Sequence, residues 1–265
     1  SAASDVYKRQ DLFDPTEPTA EQLIARAAAA EDTALAVHGI TNSEGADAGW
    51  GRVAIALVMS NGFAGFYQRS SHSLSCTALA GTGTAMERDY EWSSVVHLAD
   101  LDDPAAIGRR AAEKTLGRLN PVRAKTARIP VVYDPRVSAS LLGHLTGAIN
   151  GAAVTRGTSF LRDRLGQQVL AKGLTVRDDP TRRRGLRSRP FDGEGMAGAP
   201  RALVDDGVLT TWILDWRAAR QLGMASTGHA SRGTGGPPGP APTNLWLEPG
   251  HMTPRQLMAD ITEGL

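Results

Sequence analysis

The sequence predicts an α+β protein, with antiparallel sheets packed against helices in two subdomains. Three observations carry that expectation. Strand-like and helix-like patterns come in runs and do not alternate strictly, which argues against a doubly wound parallel sheet. Asn61-Gly62 and Asp206-Gly207 each split a pair of apolar runs, and such dipeptides supply the positive φ of a tight hairpin. Three segments open on helix-start chemistry: Thr19 with Gln22, Asp103 with Pro104, and Thr253 with Pro254 and Gln256.

The leading "SAASDVYKRQ" has neither periodicity nor a cap, and residues 1–10 are set apart as a non-native leader. Residues 11–125 are expected to form the end of an N-terminal α+β domain, and residues 126–265 a truncated C-terminal domain. A first helix is expected from about Ala20 to Asp32, where Leu23, Ile24 and Ala27 begin an apolar stripe. A β-meander should follow from about Thr33 to Leu98. It takes in the hairpin around Asn61-Gly62, the alternating "SHSLSCTALAG" and the stretch "AMERDYEWSSVVHL", whose charges should face outward. A second helix, capped by Asp103, places Ile107, Ala111, Thr115 and Leu119 on one face. "PVRAKTARIP" reads as the linker between subdomains.

Beyond the linker, "IPVVYD" reads as a buried strand, and Pro135 opens a helix carrying "LLGHLTGAI". A partly helical stretch, the short strand "GLTVRDDP" and the long loop "TRRRGLRSRPFDGEG" come next. The hairpin "RALVDDGVLTTWILD" follows, then a Gly- and Pro-rich loop ending in the strand "NLWLEP", and a third helix capped by Thr253. The helical pattern is still running at Leu265, so a fragment open at both ends is expected.

Hydrophobic residues make up 41% of the 265, enough to fill a core, but aromatics only 5%, so aliphatic side chains must fill it. A net charge of +1, with both signs interspersed, makes no electrostatic case for nucleic acid or a membrane surface. No apolar run approaches the ~20 residues that span a bilayer. The single cysteine, Cys76, excludes an intrachain disulfide, and the expected location is cytoplasmic.

His144 poses the chemical question. A helical zinc-protease site needs two imidazoles one turn apart to hold the metal, and a carboxylate beside the first to take a proton from the metal-bound water. One turn either side of His144 stand Ser140 and Ala148, and the next residue is Leu145. Leu141, Leu142, Leu145, Ala148 and Ile149 share one helical face. His144 is therefore expected at a packing edge, partly buried and hydrogen-bonded.

Several long segments, in fixed order, resemble the TldD/PmbA family. They are "RIPVVYDPRVSASLLGHLTGAINGAAVTRGTSFLRDRLGQQV", "RSRPFDGEG", "LVDDGVLTTWILD", "ARQLG" and "TGHASRGTGGPPGPAPTNLWLEPG", with "FDPTEP", "TNSEGADAGWGRVAIALVMSNGFAGFYQRSSHSLSC" and "MERDYEWSS" upstream. The resemblance runs from Asp11 onward and sides with the PmbA branch, also called TldE. Where the zinc-protease branch shows His-Glu, this chain has Gly143-His144 or His144-Leu145. The resemblance implies a degenerate motif region at Gly143, His144, Leu145 and Ile149, with no catalytic residue and no metal bound by this chain. It implies zinc in a TldD-like catalytic partner, and a pair that degrades unfolded or extended peptides in the bacterial cytosol without nucleic acid or membrane. The family's older label, modulator of DNA gyrase, does not imply DNA binding.

His229, Ser231 and Arg232 lie in a glycine-rich loop that the resemblance places near a central cavity. With Asp192 and Glu194 of "FDGEG" they are the peptide-cavity candidates, Arg232 as the partner of a carboxylate. In a glycine-flanked turn, Asp192 and Glu194 are more often bound to local amides. The arginines of "TRRRGLRSR" read as a solvated loop. The alternative function is a stand-alone zinc metallohydrolase using His144, His229 and a carboxylate such as Asp192 or Glu194. A Cys76 contribution is weaker, because a lone thiol on a strand is usually core.

Overall fold

Thr19 and Gln22 exchange hydrogen bonds across the first turn of α1 (Ala20–Leu35), the reciprocal cap that their spacing predicts. The computed structural model describes residues 10–265. Ser1 to Arg9 of the expected leader lie outside the described residues. Gln10, the last residue of that stretch, is buried, and its amide donates to the carbonyls of Pro180 and Arg189.

α1 runs past Asp32, so the meander starts at Ile40 and not near Thr33. β1 (Ile40–Val58) and β2 (Ala64–Ala80) form one long antiparallel hairpin, paired from Ile40 with Ala80 to Val58 with Ala64. Its tip carries Asn61-Gly62, with Gly62 at φ +89°. The loop is wider than a two-residue turn, closed by the Met59 amide donating to the Phe63 carbonyl at 2.9 Å. β3 (Glu87–Val95) pairs along the other edge of β2, giving the order β1–β2–β3.

α1 and α2 (Pro104–Gly117) lie on one face of this sheet. Asp103 caps α2 and Pro104 occupies its first turn, where a missing N–H costs nothing. The shared core joins Ala30 and Ala34 of α1, Leu74, Cys76 and Ala78 of β2, and Ile107, Ala111 and Ala112 of α2. Burying a side chain the size of Ile107 stabilises by about 1.5–3 kcal/mol. Thr115 is also fully buried, its hydroxyl donating to the Ala111 carbonyl, whereas Leu119 falls beyond the helix and is half-buried.

The faces of β3 are the reverse of expectation. Register pairs Asp89 with Ala78 and Glu91 with Cys76, both on the helix side of β2. The acids are held there by cations: Lys114 bonds Glu91 at 2.7 Å, and Arg136 bonds Asp89 at 3.0 Å. Tyr90 and Trp92 are the exposed face.

The connector after α2 contains no helix or strand, and Ile129–Asp134 forms none either. Val132 and Pro130 exchange hydrogen bonds only with Leu265, so no sheet buries this stretch and Val131 and Tyr133 are exposed. Asp134 caps α3 (Pro135–Ala148), and Asn150 caps the short α4 (Gly151–Thr155). β4 (Val176–Asp178) is followed by β5 (Arg201–Asp205) and β6 (Val208–Leu209). Asp206 at φ +47° and Gly207 at φ +83° make the two-residue turn between the last two. Two elements were not expected: α5 (Trp216–Gln221), capped by Asp215, and the small ladder of β7 (Ala230–Ser231) with β8 (Gly239–Pro240). β9 (Leu245–Leu247) joins β4, giving the order β6–β5–β4–β9. Ile149, Val176, Leu203, Leu209, Ile213 and Leu214 are the fully buried centre of this lobe. α6 (Pro254–Met258) shows the expected capping box at Thr253 but buries no residue.

The arginine-rich loop is only partly solvated, with Arg182, Arg183 and Arg187 exposed. It bridges the lobes: Arg184 pairs with Asp11 at 2.6 Å and with Asp100 at 2.9 Å, and Arg183 with Asp11 at 3.1 Å. Phe191 reaches across to Tyr67 and Phe63, edge to face at 5.2 and 5.1 Å between ring centres.

Candidate functional site

Between the distal hairpin of the first lobe and the loops of the second lies an open cleft of about 890 Å³. One wall is Val53 to Val58 of β1 with Tyr67 and Arg69 of β2; the other includes Arg187, Arg189, Ser231 and Arg232. Six consecutive residues of β1 take part, whereas a strand presented face-on contributes alternate ones. β1 is the edge strand of its sheet, so unpaired backbone groups border the cleft.

Asp192 builds the second wall. One carboxylate oxygen accepts from the Glu194 and Met196 amides, both at 2.9 Å, and the other from the Ala230 amide at 2.9 Å. The Gly193 amide donates to the Ala230 carbonyl at 2.8 Å, which stitches the 192–196 turn to β7. A side chain on Gly193 would sit 3.2 Å from the Ala230 carbonyl oxygen and from Arg232, a tight fit in this close approach. This binding of local amides by Asp192 was the plainer of its two expectations.

His229 stands behind this wall, buried, with both ring nitrogens engaged. Nδ1 is 2.8 Å from the Thr227 hydroxyl and Nε2 is 3.0 Å from Asp178. Asp178, fully buried, also accepts from the Thr243 amide at 2.6 Å and from its hydroxyl. His229 is thus a tie between β4, β7 and the segment entering β9. Glu194 lies outside the cleft, where it accepts from the Trp216 amide at 2.8 Å at the start of α5. Burial raises its pKa, against the Trp216 hydrogen bond and together with Asp192 and Asp215. Ser231 and Arg232 are exposed on the cleft wall.

His144 is far from the partly buried, hydrogen-bonded state expected of it. It is exposed and has no hydrogen-bond partner among the described residues. Its neighbours Leu142 and Leu145 pack onto the second lobe's core and Ile149 is fully buried, so the helix turns its apolar stripe inward and leaves the imidazole in solvent. Gly143 lines a second cleft, of about 690 Å³, against the arginine-rich loop; His144 is not one of its walls.

The ligand set of the metallohydrolase alternative is not assembled. Among the described residues no group of three or more His, Cys, Asp or Glu side chains stands where it could hold a metal ion. His229 is committed to Thr227 and Asp178, and Asp192 to three amides. Cys76 is buried in the first lobe's core, where desolvation, aided by Glu31, pushes its thiol up to about 11.

Three arginines of the cleft carry no mark in the sequence. Nothing in the sequence pattern singles out Arg69, and Arg187 and Arg189 fall within the run expected to be solvated. No local signal separates them from Arg183 and Arg184, which clamp the lobes instead.

Two antiparallel lobes enclosing a cationic cleft, with a lone imidazole on α3, are the architecture of a metallopeptidase-family chain. Models of the PmbA/TldA metallopeptidase central and C-terminal domains match residues 13–119 and 126–265, and the chain belongs to this family. It is 40% identical to the metalloprotease PmbA of Escherichia coli O157:H7 over 83% of this chain and 49% of that one. It is 34% identical to a PmbA homologue of Haemophilus influenzae over the same shares. The chain thus spans about half the length of the curated relatives it matches. A Bacteroides thetaiotaomicron protein described as a modulator of DNA gyrase superposes with a TM-score of 0.83 at 26% identity, over 96% of this chain and 58% of that one. TldE of Thermococcus kodakarensis shares the fold, with a TM-score of 0.83 at 20% identity over 92% of this chain and 56% of that one.

Proposed function

We propose that this chain is a PmbA/TldE-type subunit, without a catalytic metal of its own, of a cytosolic bacterial complex that degrades peptides. The zinc belongs to a TldD-like partner. One observation carries the reading: the donor set on α3 does not fit a hydrolytic zinc. His144 has Ser140 and Ala148 one turn away and Leu145 beside it, so neither a second imidazole nor a proton-accepting carboxylate adjoins it. What remains suits binding. The free edge of β1 offers an extended peptide the hydrogen bonds of an added strand, and Val53, Ile55 and Leu57 offer apolar contacts. Among the described residues no helix is long and apolar enough to cross a membrane, in keeping with a cytosolic role.

The test mixes the purified chain with a TldD-like subunit and follows cleavage of an unfolded peptide. Cleavage by the mixture, sensitive to a chelator and absent from this chain alone, is expected. Chelator-sensitive cleavage by this chain alone, with stoichiometric zinc that disappears in His144→Ala, would establish the metallohydrolase alternative instead.

A further inference from the structure

Four arginines line the cleft: Arg69, Arg187, Arg189 and Arg232. None of them pairs with a carboxylate among the described residues. Arg69 donates only to the Leu186 carbonyl, while the Arg187 and Arg232 side chains have no partner among those residues. Arg189 is the strongest case. Its Nε and Nη2 are buried with no hydrogen-bond partner, although buried donors are nearly always satisfied. The one acid on the walls, Asp192, has both oxygens taken up by amides.

We infer that this cleft is a carboxylate-binding subsite, in which Arg189, Arg187 and Arg232 receive a carboxylate of a peptide laid along Val53–Val58. The inference rests on the peptide-handling reading and adds the chemical class that the cleft selects. A guanidinium presents paired N–H groups in a plane, which match the two oxygens of a carboxylate. The apolar wall beside the arginines favours a ligand that carries side chains over a bare inorganic anion. Two sources hold this chemistry: the C-terminus of a peptide, and an Asp or Glu side chain.

The experiment measures fluorescence anisotropy of three labelled forms of one neutral peptide against the 265-residue chain, without partner. One form has a free C-terminal carboxylate, one a C-terminal amide, and one the amide with a single internal Glu. At least one carboxylate form should bind about tenfold tighter than the neutral amide, the effect of one charge-assisted hydrogen bond. Which form gains identifies the source. The advantage should fall to about twofold or less in the double variant Arg187→Gln/Arg232→Gln, whose sites are exposed and whose thermal midpoint should be unchanged. It should fall likewise in Arg189→Gln. Equal binding of all three forms, no binding of any, or an advantage that survives both variants overturns the inference. Because no partner is present, failed cleavage with a TldD-like subunit would sink the subunit reading and leave this one standing.

Discussion

His229 Nε2 lies 3.0 Å from a carboxylate oxygen of Asp178, and both side chains are buried behind the cleft wall. The contact joins residues 51 apart in sequence and, through Thr243, holds a third segment. Asp178→Ala would strand the imidazole, the Thr243 amide and the Thr243 hydroxyl together. A loss of about 3 kcal/mol is expected, as for other buried polar groups deprived of their partner. Urea unfolding should show a lower midpoint, whereas exposed His144→Ala should stay within about 0.5 kcal/mol of the parent. An unchanged midpoint for Asp178→Ala would show that the tie carries no stability.

Gly108 allows α2 to lie against α1. A Cβ there would stand 2.0 Å from the Ala30 carbonyl oxygen, a backbone atom that moves only with its helix. Gly108→Ala should therefore destabilise by about 1–3 kcal/mol from overpacking, although alanine is the better helix former by about 1 kcal/mol. Gly117→Ala, with open space around the new methyl group, should be neutral or stabilising. Thermal melting of the two variants separates packing from propensity.

Acid should weaken the fold in two stages. Burial lowers the pKa of His72, and Arg26 and His97 lower it further against the pull of Asp14. Nε2 is 3.4 Å from Asp14 and neither ring nitrogen makes a hydrogen bond, so little beyond that carboxylate offsets the cost of charging the buried ring. A histidine depressed in the fold contributes stability above its unfolded value of about 6.5 that is lost as pH falls below it. For Asp14, burial acts upward but is outweighed by the Leu98 amide and by Thr16, which hold it at about 2. Its contribution is intact above about pH 4 and is lost as pH falls through about 2. Unfolding free energy should therefore fall first as pH drops below about 6.5 and again below about 4, and His72→Phe should remove only the upper stage. A curve with no decline between about pH 6.5 and 4 would contradict the His72 assignment.

Cys76 should be inert in the native protein. It is about 1% exposed, and its thiol is pushed up to about 11. Iodoacetamide at pH 8 should leave the folded chain unmodified by mass and alkylate it fully in urea, because only the thiolate attacks. Rapid native alkylation would mean that the sheet opens away from α1 and α2.

Legibility in the sequence followed the range of the interaction. The caps at Thr19, Asp103 and Thr253 and the Asp206-Gly207 turn were readable because donor and acceptor lie within four residues of each other. α5 escaped notice because six residues are too few to display a helical period, though Asp215 marked its start. β3 was readable as a strand but not by face. Its acids and aromatics alternate, and only the basic side chains of α2 and α3 make the acidic face the inner one. "IPVVYD" has the composition of a core strand and no sheet to join.

The candidate site divides the same way. By itself the sequence determined that α3 carries one imidazole without a second ligand or a neighbouring acid, since helical geometry places those positions whatever the surroundings. It also determined the α+β class and the turns. Only the tertiary structure decided that His229 faces inward to Asp178, and that Arg183 and Arg184 lock the lobes while Arg187 and Arg189 line the cleft. Those arginines occupy one loop and share one chemistry. Their separate roles depend on which side chain meets an acid from the other lobe, and such a pairing has no trace in local spacing.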